Sequence, residues 1–233
     1  LFLAVVADRR PGEREEAAAP PSLAEALRGV AEVWRSPGLA GVAAVHAFAY
    51  ASMLTLLGVW SGPYLHDVFG LDTVARGRIL TAMGAAQILG ILCYGPLDRL
   101  LNSRKRVVLG GVGGSVAILA LLALLPAPPL WLAAALLIGY CFVTAYGVVI
   151  VAHGRSLFPD HLVGRGVTTV NLAQVFGATI LPFATGLIVQ GFDDGGGAIP
   201  AIAYRFSFAF IAVALAAGAT VYSRLPDSRP RTA

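Results

Sequence analysis

The chain has 233 residues, of which 57% are hydrophobic and only 13% are charged. Its mean hydropathy of +0.75 is far above what a soluble domain of this length needs to build a core. The composition therefore excludes an ordinary soluble domain. The net charge of +4 indicates orientation in a membrane rather than binding to nucleic acid.

The first residues of the chain are apolar but too few to cross a bilayer. Residues 1–7 lead directly into the charged run Asp8, Arg9 and Arg10. A signal peptide would carry positive charge before its apolar stretch, and none precedes it here. We interpret residues 1–7 as the end of a preceding transmembrane helix, which predicts that the chain is the carboxy-terminal part of a longer protein.

A polar segment follows at residues 8–37, with five Arg, six acids and several prolines. In its second half Ser22 and Glu25 have the spacing of a capping box. Apolar residues then recur at helical spacing, at Leu23, Leu27, Val30 and Trp34. The segment is predicted to be a cytoplasmic loop that contains a short amphipathic helix on the membrane surface.

Six apolar runs follow, and each is long enough to cross a bilayer as a helix. The shortest would span about 28 Å, close to a hydrocarbon core of about 30 Å. Barrel strands would alternate in polarity, whereas these runs are continuously apolar. The sequence predicts an all-α, polytopic membrane bundle at residues 38–223 with a tail at 224–233. The six transmembrane helices are predicted at residues 38–65, 79–97, 107–125, 130–152, 166–190 and 199–222.

Charged residues are distributed unevenly about these spans. Fourteen of the seventeen Lys and Arg fall on one side, and only Arg76 and Arg78 fall on the other. Because positive loops face the cytoplasm, we expect both ends of this segment to be cytoplasmic, in a multi-pass protein of the bacterial inner (plasma) membrane. All thirteen Asp and Glu lie outside the six predicted spans, so we expect no carboxylate in a central cavity.

The loop between the second and third spans concentrates five charged residues. Residues 94–106 read YGPLDRLLNSRKR, and the positions that form the pattern are Gly95, Asp98, Arg99, Arg104 and Lys105. This stretch resembles the loop motif of the major facilitator superfamily, in which a Gly-rich helix end runs into Asp-Arg and then a second basic pair. The family's common form has four residues from Gly to Asp and a further Gly between the basic clusters. Here the Gly precedes the Asp by three residues and the further Gly is absent.

A second stretch is similar to the family's pattern from the loop after helix ten into helix eleven. Its residues are Leu157, Phe158, Pro159, Gly164, Arg165, Gly166, Asn171, Gly177, Pro182 and Gly186. The resemblance implies two six-helix halves joined by a cytoplasmic loop, each built of inverted three-helix repeats. This chain would supply the end of helix six, that loop, and helices seven to twelve. No convincing likeness is seen between its first and last three spans.

The charged loop predicts a conformational latch. An acid at a helix end can accept hydrogen bonds from the amide groups of a neighbouring helix, and arginines can pair with acids elsewhere. Such contacts would break when the two halves of the bundle rock apart. By the resemblance, the partner of Asp98 would lie in the missing amino-terminal half. Topological anchoring by positive charge alone is the alternative.

Polar side chains within the spans are expected to face the bundle interior rather than lipid. The resemblance implies that helices seven, eight, ten and eleven line a central cavity. The candidates for solute contact are Tyr50, Gln87, Tyr140, Thr144, Asn171 and Gln174. A bond to a backbone carbonyl is the alternative for Tyr50, Tyr140 and Thr144. For His46 the interpretations are a packing histidine or a proton relay.

Together these features predict the carboxy-terminal half of a secondary transporter that moves a small solute by alternating access, without enzymatic activity, cofactor or metal. Its partners would be the solute, the lipid bilayer and the missing half. One alternative is a membrane-embedded enzyme, although the spans offer no paired carboxylates, catalytic Ser and His spacing or metal-ligand cluster. The other is a complete six-helix protein that acts as a homodimer.

Overall fold

Six helices of membrane-spanning length follow one another along the chain. The computed structural model describes Val33, Arg35 and residues 38–159, 163–193, 195 and 197–228. Within this part, the helices are α1 (Leu39–Asp67), α2 (Thr73–Leu100), α3 (Arg104–Leu124), α4 (Leu130–Leu157), α5 (Val163–Gln190) and α6 (Ala201–Tyr222). The prediction of an all-α, six-helix polytopic membrane bundle is confirmed. The predicted segment 1–7 and nearly all of the predicted loop at 8–37 lie outside the described residues.

The second helix runs beyond the apolar stretch that predicted it. α2 begins at Thr73, where the Asp72 carboxylate accepts a hydrogen bond from the amide of Ala75 at 2.8 Å. It continues through Leu100, so Asp98 lies in its last turn rather than in a loop. The observed helix thus includes an acid that lies outside the predicted span, because backbone hydrogen bonding continues past the point where the side chains become charged.

Helices α1 and α4 each contain an irregular segment. Residues Thr55–Trp60 of α1 form a π-helical turn, and the hydroxyl of Ser61 donates to the Leu56 carbonyl at 2.7 Å. Residues Thr144–Tyr146 of α4 form a 3₁₀ turn. Such local changes of helix type often mark functional or strained positions. They occur in α1 and α4, which are the first helices of the triplets α1–α3 and α4–α6.

The packing of the helices has the symmetry of an inverted repeat. α1 packs chiefly on α5 and α6, α4 packs chiefly on α2 and α3, and α3 packs on α6. Exchanging α1, α2 and α3 with α4, α5 and α6 leaves this pattern unchanged. Because successive spans run in opposite directions, α1 and α4 are antiparallel, so the two triplets have inverted topology.

Glycines stand where the two closest helix pairs cross. A Cβ added to Gly177 of α5 would lie 2.8 Å from the carbonyl carbon of Ala47 on α1. A Cβ added to Gly90 of α2 would lie 2.7 Å from the Cβ of Ala145 on α4. Small residues allow this close approach, which supplies much of the packing energy between helices in lipid. The crossings of α1 with α5 and of α4 with α2 are equivalent under the repeat.

The buried apolar side chains form two clusters, one toward each end of the bundle. The cluster at the end where α2 meets α3, here called the basic end, includes Val42, Tyr146 and Tyr222. The cluster at the opposite end includes Tyr64 and Tyr204, whose rings meet edge to face with centroids 5.5 Å apart. The polar side chains of interest lie between these clusters or at the basic end.

Candidate functional site

The predicted latch residues lie at the basic end, and the structure joins two of them. The Asp98 carboxylate is nearly buried, and its Oδ2 accepts a hydrogen bond from Nε of Arg104 at 3.3 Å. Its Oδ1 has no hydrogen-bond partner within the described residues. One oxygen of Asp98 is therefore used inside this chain, and the other is buried without a hydrogen-bond partner within the described residues.

The segment after α6 completes this cluster. The carboxylate of Asp227 accepts hydrogen bonds from the Ser103 hydroxyl at 2.5 Å and from the Lys105 amide at 3.0 Å. The Lys105 ammonium donates to the Leu225 carbonyl at 2.6 Å, and the Arg104 amide donates to the Ser228 carbonyl at 3.3 Å. Residues 225–228, here called the tail segment, are thus bound to the first turn of α3. Sequence reasoning placed them only in a cytoplasmic tail.

The carboxyl group of Asp227 has a lowered pKa. Partial desolvation acts to raise the pKa of its carboxyl, but hydrogen bonds from Ser103 and the Lys105 amide, with the nearby His153, outweigh it and lower the pKa. The amide groups at the start of a helix carry partial positive charge, so an ionised carboxylate is favoured there. The tail segment therefore holds a charged Asp227 at neutral pH.

His153 and Tyr222 form a buried polar pair near Asp227 and Lys105. Their side chains are fully buried, and the Tyr222 hydroxyl lies 2.5 Å from Nδ1 of His153. The contact joins α4 to the end of α6. Sequence reasoning missed both residues because each is a single polar side chain in an apolar helix, and only the packing of α4 against α6 brings them together.

Three of the predicted site residues meet between α1 and α5. His46 is 4% exposed, and the amides of Asn171 and Gln174 lie beside its imidazole. Neither ring nitrogen has a hydrogen bond of good geometry within the described part of the chain. Asn171 is exposed and Gln174 is half-buried, so these two amides, unlike the buried imidazole, reach the surface of the bundle.

A second polar cluster lies between α2 and α4. The hydroxyl of Thr144 is 3.1 Å from Oε1 of Gln87 and 3.0 Å from the carbonyl of Cys141. Thr144 is buried, whereas Gln87 is half-buried. Because a hydroxyl has one hydrogen, Thr144 donates to only one of these two oxygens at a time, and the Cys141 carbonyl competes with Oε1 of Gln87. Gln87 is the more exposed member of this cluster.

The two clusters occupy equivalent places in the repeat. Gln87 lies three residues before the crossing glycine of α2, and Gln174 lies three residues before the crossing glycine of α5. The local sequences are AQILG at residues 86–90 and AQVFG at residues 173–177. Three of these five positions are identical. This short likeness is the signal that could have paired the two amides from sequence.

The remaining predicted residues are placed differently. Tyr50 is 36% exposed on α1, whereas Tyr140 is fully buried in the apolar cluster at the opposite end. Gly95 was expected at a helix end, but α2 continues beyond it, and the space around it is open. Arg99 is exposed in the last turn of α2.

An apolar groove of about 860 Å³ runs between α1 and α5 on another face. Its walls include Ala43 and Ala47 of α1 and Leu172 and Phe176 of α5. The amide of Gln174 is on the opposite side of α5 from this groove, because two residues apart on a helix differ by about 200°. The groove is therefore separate from the polar clusters.

The arrangement defines a class of protein. A six-helix membrane bundle with inverted-repeat packing and uncharged polar clusters beside the helix crossings has the organisation of a membrane transporter half. The family model described as the major facilitator superfamily matches residues 62–233. The chain belongs to the major facilitator superfamily. It is therefore a multi-pass membrane protein of a transporter family.

Solved structures support the same fold. The chain is similar to the xylose transporter XylE from E. coli in its inward open conformation, with a TM-score of 0.63 and 17% sequence identity. The match covers 84% of this chain and 49% of the XylE chain. The chain thus spans about half the length of that transporter. No curated protein matches the sequence.

Proposed function

We propose that this chain forms the carboxy-terminal half of a secondary transporter, which moves a small solute by alternating access together with an amino-terminal six-helix half. Family membership and the transporter fold support this proposal. The observation that carries it is the equivalent placement of Gln87 and Gln174, each about one turn from a helix crossing.

A side chain close to a crossing point moves little when the two helices tilt about that point. Amides at two equivalent crossings can therefore hold a solute while the helix ends open on either side, as alternating access around a fixed site requires. Tyr50, Gln87, Asn171 and Gln174 would contact the solute. Thr144 would act through Gln87, by orienting its amide. Tyr140 would support the packing around them.

The basic end would face the cytoplasm of a plasma membrane, since positive loops stay on that side. There Asp98, Arg104 and Lys105, with the neighbouring Gly95 and Arg99, would form the latch. The Asp98 carboxylate, whose buried Oδ1 has no hydrogen-bond partner within the described residues, would accept a donor from the other half when the cytoplasmic side is closed. Breaking that contact would accompany opening toward the cytoplasm.

Transport by the full-length protein in lipid vesicles tests the proposal. A panel of small solutes is offered with and without a proton gradient, and uptake is compared with that of empty vesicles. For a transported solute, Gln87→Ala and Gln174→Ala should each reduce uptake at least tenfold. Each change removes a hydrogen-bond partner and leaves a polar group of the bound solute unpaired. Gln190→Ala, at the far end of α5, is the matched control. Equal uptake by all three variants would contradict the assigned site.

A further inference from the structure

His46 is a buried titratable group whose ring nitrogens have no well-formed hydrogen bond within the described part of the chain. It is 4% exposed, and neither Nδ1 nor Nε2 makes a hydrogen bond of good geometry within the described residues. The polar side chains beside it are the amides of Asn171 and Gln174. A buried imidazole without hydrogen bonds is costly, so the site favours a change that pairs both nitrogens.

No carboxylate faces this imidazole from the helices packed around it. α4, α5 and α6 contain no Asp or Glu, and α1 has none before Asp67 at its far end. His153 is paired with Tyr222, and Arg205 donates to the Ala123 carbonyl at 2.7 Å near the other end. Arg165 lies six residues before Asn171, about 9 Å along α5. The remaining titratable groups on these helices are Tyr50, Tyr64, His66, Tyr140, Cys141, Tyr146, Arg155 and Tyr204.

The two amides can respond to the protonation state of the ring. A neutral imidazole has one donor and one acceptor, so one amide must turn its oxygen toward the ring and the other its NH₂ group. An imidazolium has two donors, so both amide oxygens must turn toward it. Both NH₂ groups then point away from the ring, toward the side on which Asn171 is exposed.

We propose that His46, Asn171 and Gln174 form a proton-binding site that switches this face from a mixed donor and acceptor surface to one of donors only. A solute with acceptor oxygens, and a carboxylate above all, then binds more tightly when His46 is protonated. By reciprocity the bound solute favours protonation by the same factor, which couples the solute to a proton. This consequence for transport rests on the proposed function, whereas the proton site itself does not.

The proton site is tested by nuclear magnetic resonance of isotope-labelled histidine in the full-length protein in lipid nanodiscs, between about pH 5 and pH 8. The His46 signal is the one lost in His46→Gln, or in His46→Asn if the first variant does not fold. It should titrate within this range. Asn171→Leu and Gln174→Met should each move its midpoint about one pH unit lower, because each removes an acceptor for the imidazolium. Gln190→Met should leave it unchanged.

The inference is overturned if the His46 signal is constant across this range, or if it titrates with the same midpoint in both amide variants. The vesicle assay separates this result from the proposed function. If transport persists but His46 does not titrate, the proton site is rejected and the proposed function stands. If His46 titrates but the protein carries no solute of the panel, the proton site stands and its role in transport is rejected.

Discussion

The carboxylate of Asp227 accepts a hydrogen bond from the Ser103 hydroxyl at 2.5 Å, which ties the segment after α6 to the start of α3. Ser103 is itself the N-cap of α3, and its hydroxyl oxygen accepts the Arg106 amide at 3.1 Å. The Lys105 amide donates to Asp227 as well. Two of the free amide groups at this helix start are therefore satisfied by a cap built from distant parts of the chain.

Removing this cap should destabilise the basic end. We expect Asp227→Ala to lower the free energy of unfolding by about 1 kcal/mol, the typical cost of losing a helix cap. Hydrogen exchange of the amides at 103–106 should accelerate in the same variant. Asp193→Ala, which removes only a bond to the Gly195 amide in an exposed loop, is the control. Unchanged exchange at 103–106 would show that the tail segment does not cap α3 in solution.

The cap should also depend on pH. Because the pKa of Asp227 is lowered in the folded protein, its stabilising effect is fully present above the ordinary aspartate value of about 3.9 and is lost as the pH falls below it. The difference in unfolding free energy between wild type and Asp227→Asn should be constant from about pH 5 to 7 and shrink toward pH 3. A difference that grows on acidification would contradict this assignment.

Sequence reasoning could predict the helices but not the cap. Continuous apolar runs predict spans because few other structures satisfy the backbone in lipid. The boundaries at Asp98 and Asp72 were missed, since charge ends an apolar run without ending a helix. Asp227 and Ser103 are 124 residues apart, and no local pattern joins them. Such contacts follow from tertiary packing alone.

The pairing of Asp98 with Arg104 makes the latch testable with two substitutions. Asp98→Asn should shift the full-length protein toward the conformation open at the basic end, because a neutral amide holds donors less strongly than a carboxylate. Arg104→Gln should shift it the same way by a smaller amount, since it loosens Asp98 without removing its charge. Cysteine accessibility from both sides of the membrane measures the shift. Arg106→Gln, which changes an exposed charge in the same turn, is the control.

If Arg106→Gln shifted accessibility as much as Asp98→Asn, positive charge alone would account for the effect. The loop would then act as a topological anchor. If no variant shifted accessibility, Asp98 and Arg104 would serve only to join α2 to α3.

The polar residues of the candidate site could be predicted from the sequence, but their grouping could not. Polar side chains are rare in membrane helices, so Gln87, Asn171 and Gln174 could be found one by one. Their grouping required the helix partners, because His46 meets α5 and Thr144 meets α2. Tyr140 was predicted as a solute contact but lies in a buried apolar cluster. An aromatic ring with one polar atom suits either environment, so its residue type alone does not decide between them.

The contact between Thr144 and Gln87 should be measurable as a coupling. Thr144→Val and Gln87→Leu are combined in a double-mutant cycle of unfolding free energies, where we expect a coupling of about 0.6 kcal/mol, the average for such bonds in membrane proteins. The matched cycle of Thr179→Val with Gln87→Leu should give none, because Thr179 is bonded within α5 to Val175. A coupling of zero in the first cycle would remove Thr144 as the residue that orients Gln87.

The helix crossings provide the sharpest test of the packing on which the site depends. Gly177→Ala should cost about 1–3 kcal/mol, because the added Cβ meets the backbone of Ala47, which cannot move aside as a flexible side chain would. The same change should move α5 away from α1 and weaken solute uptake through Gln174, one turn away. Gly186→Ala on the same helix has open space around it and should be neutral or stabilise by up to about 1 kcal/mol, since alanine favours the helix more than glycine does. Equal unfolding free energies for the two variants would mean that α1 and α5 do not cross at Gly177, and the equivalence of the two amide sites would fail with it.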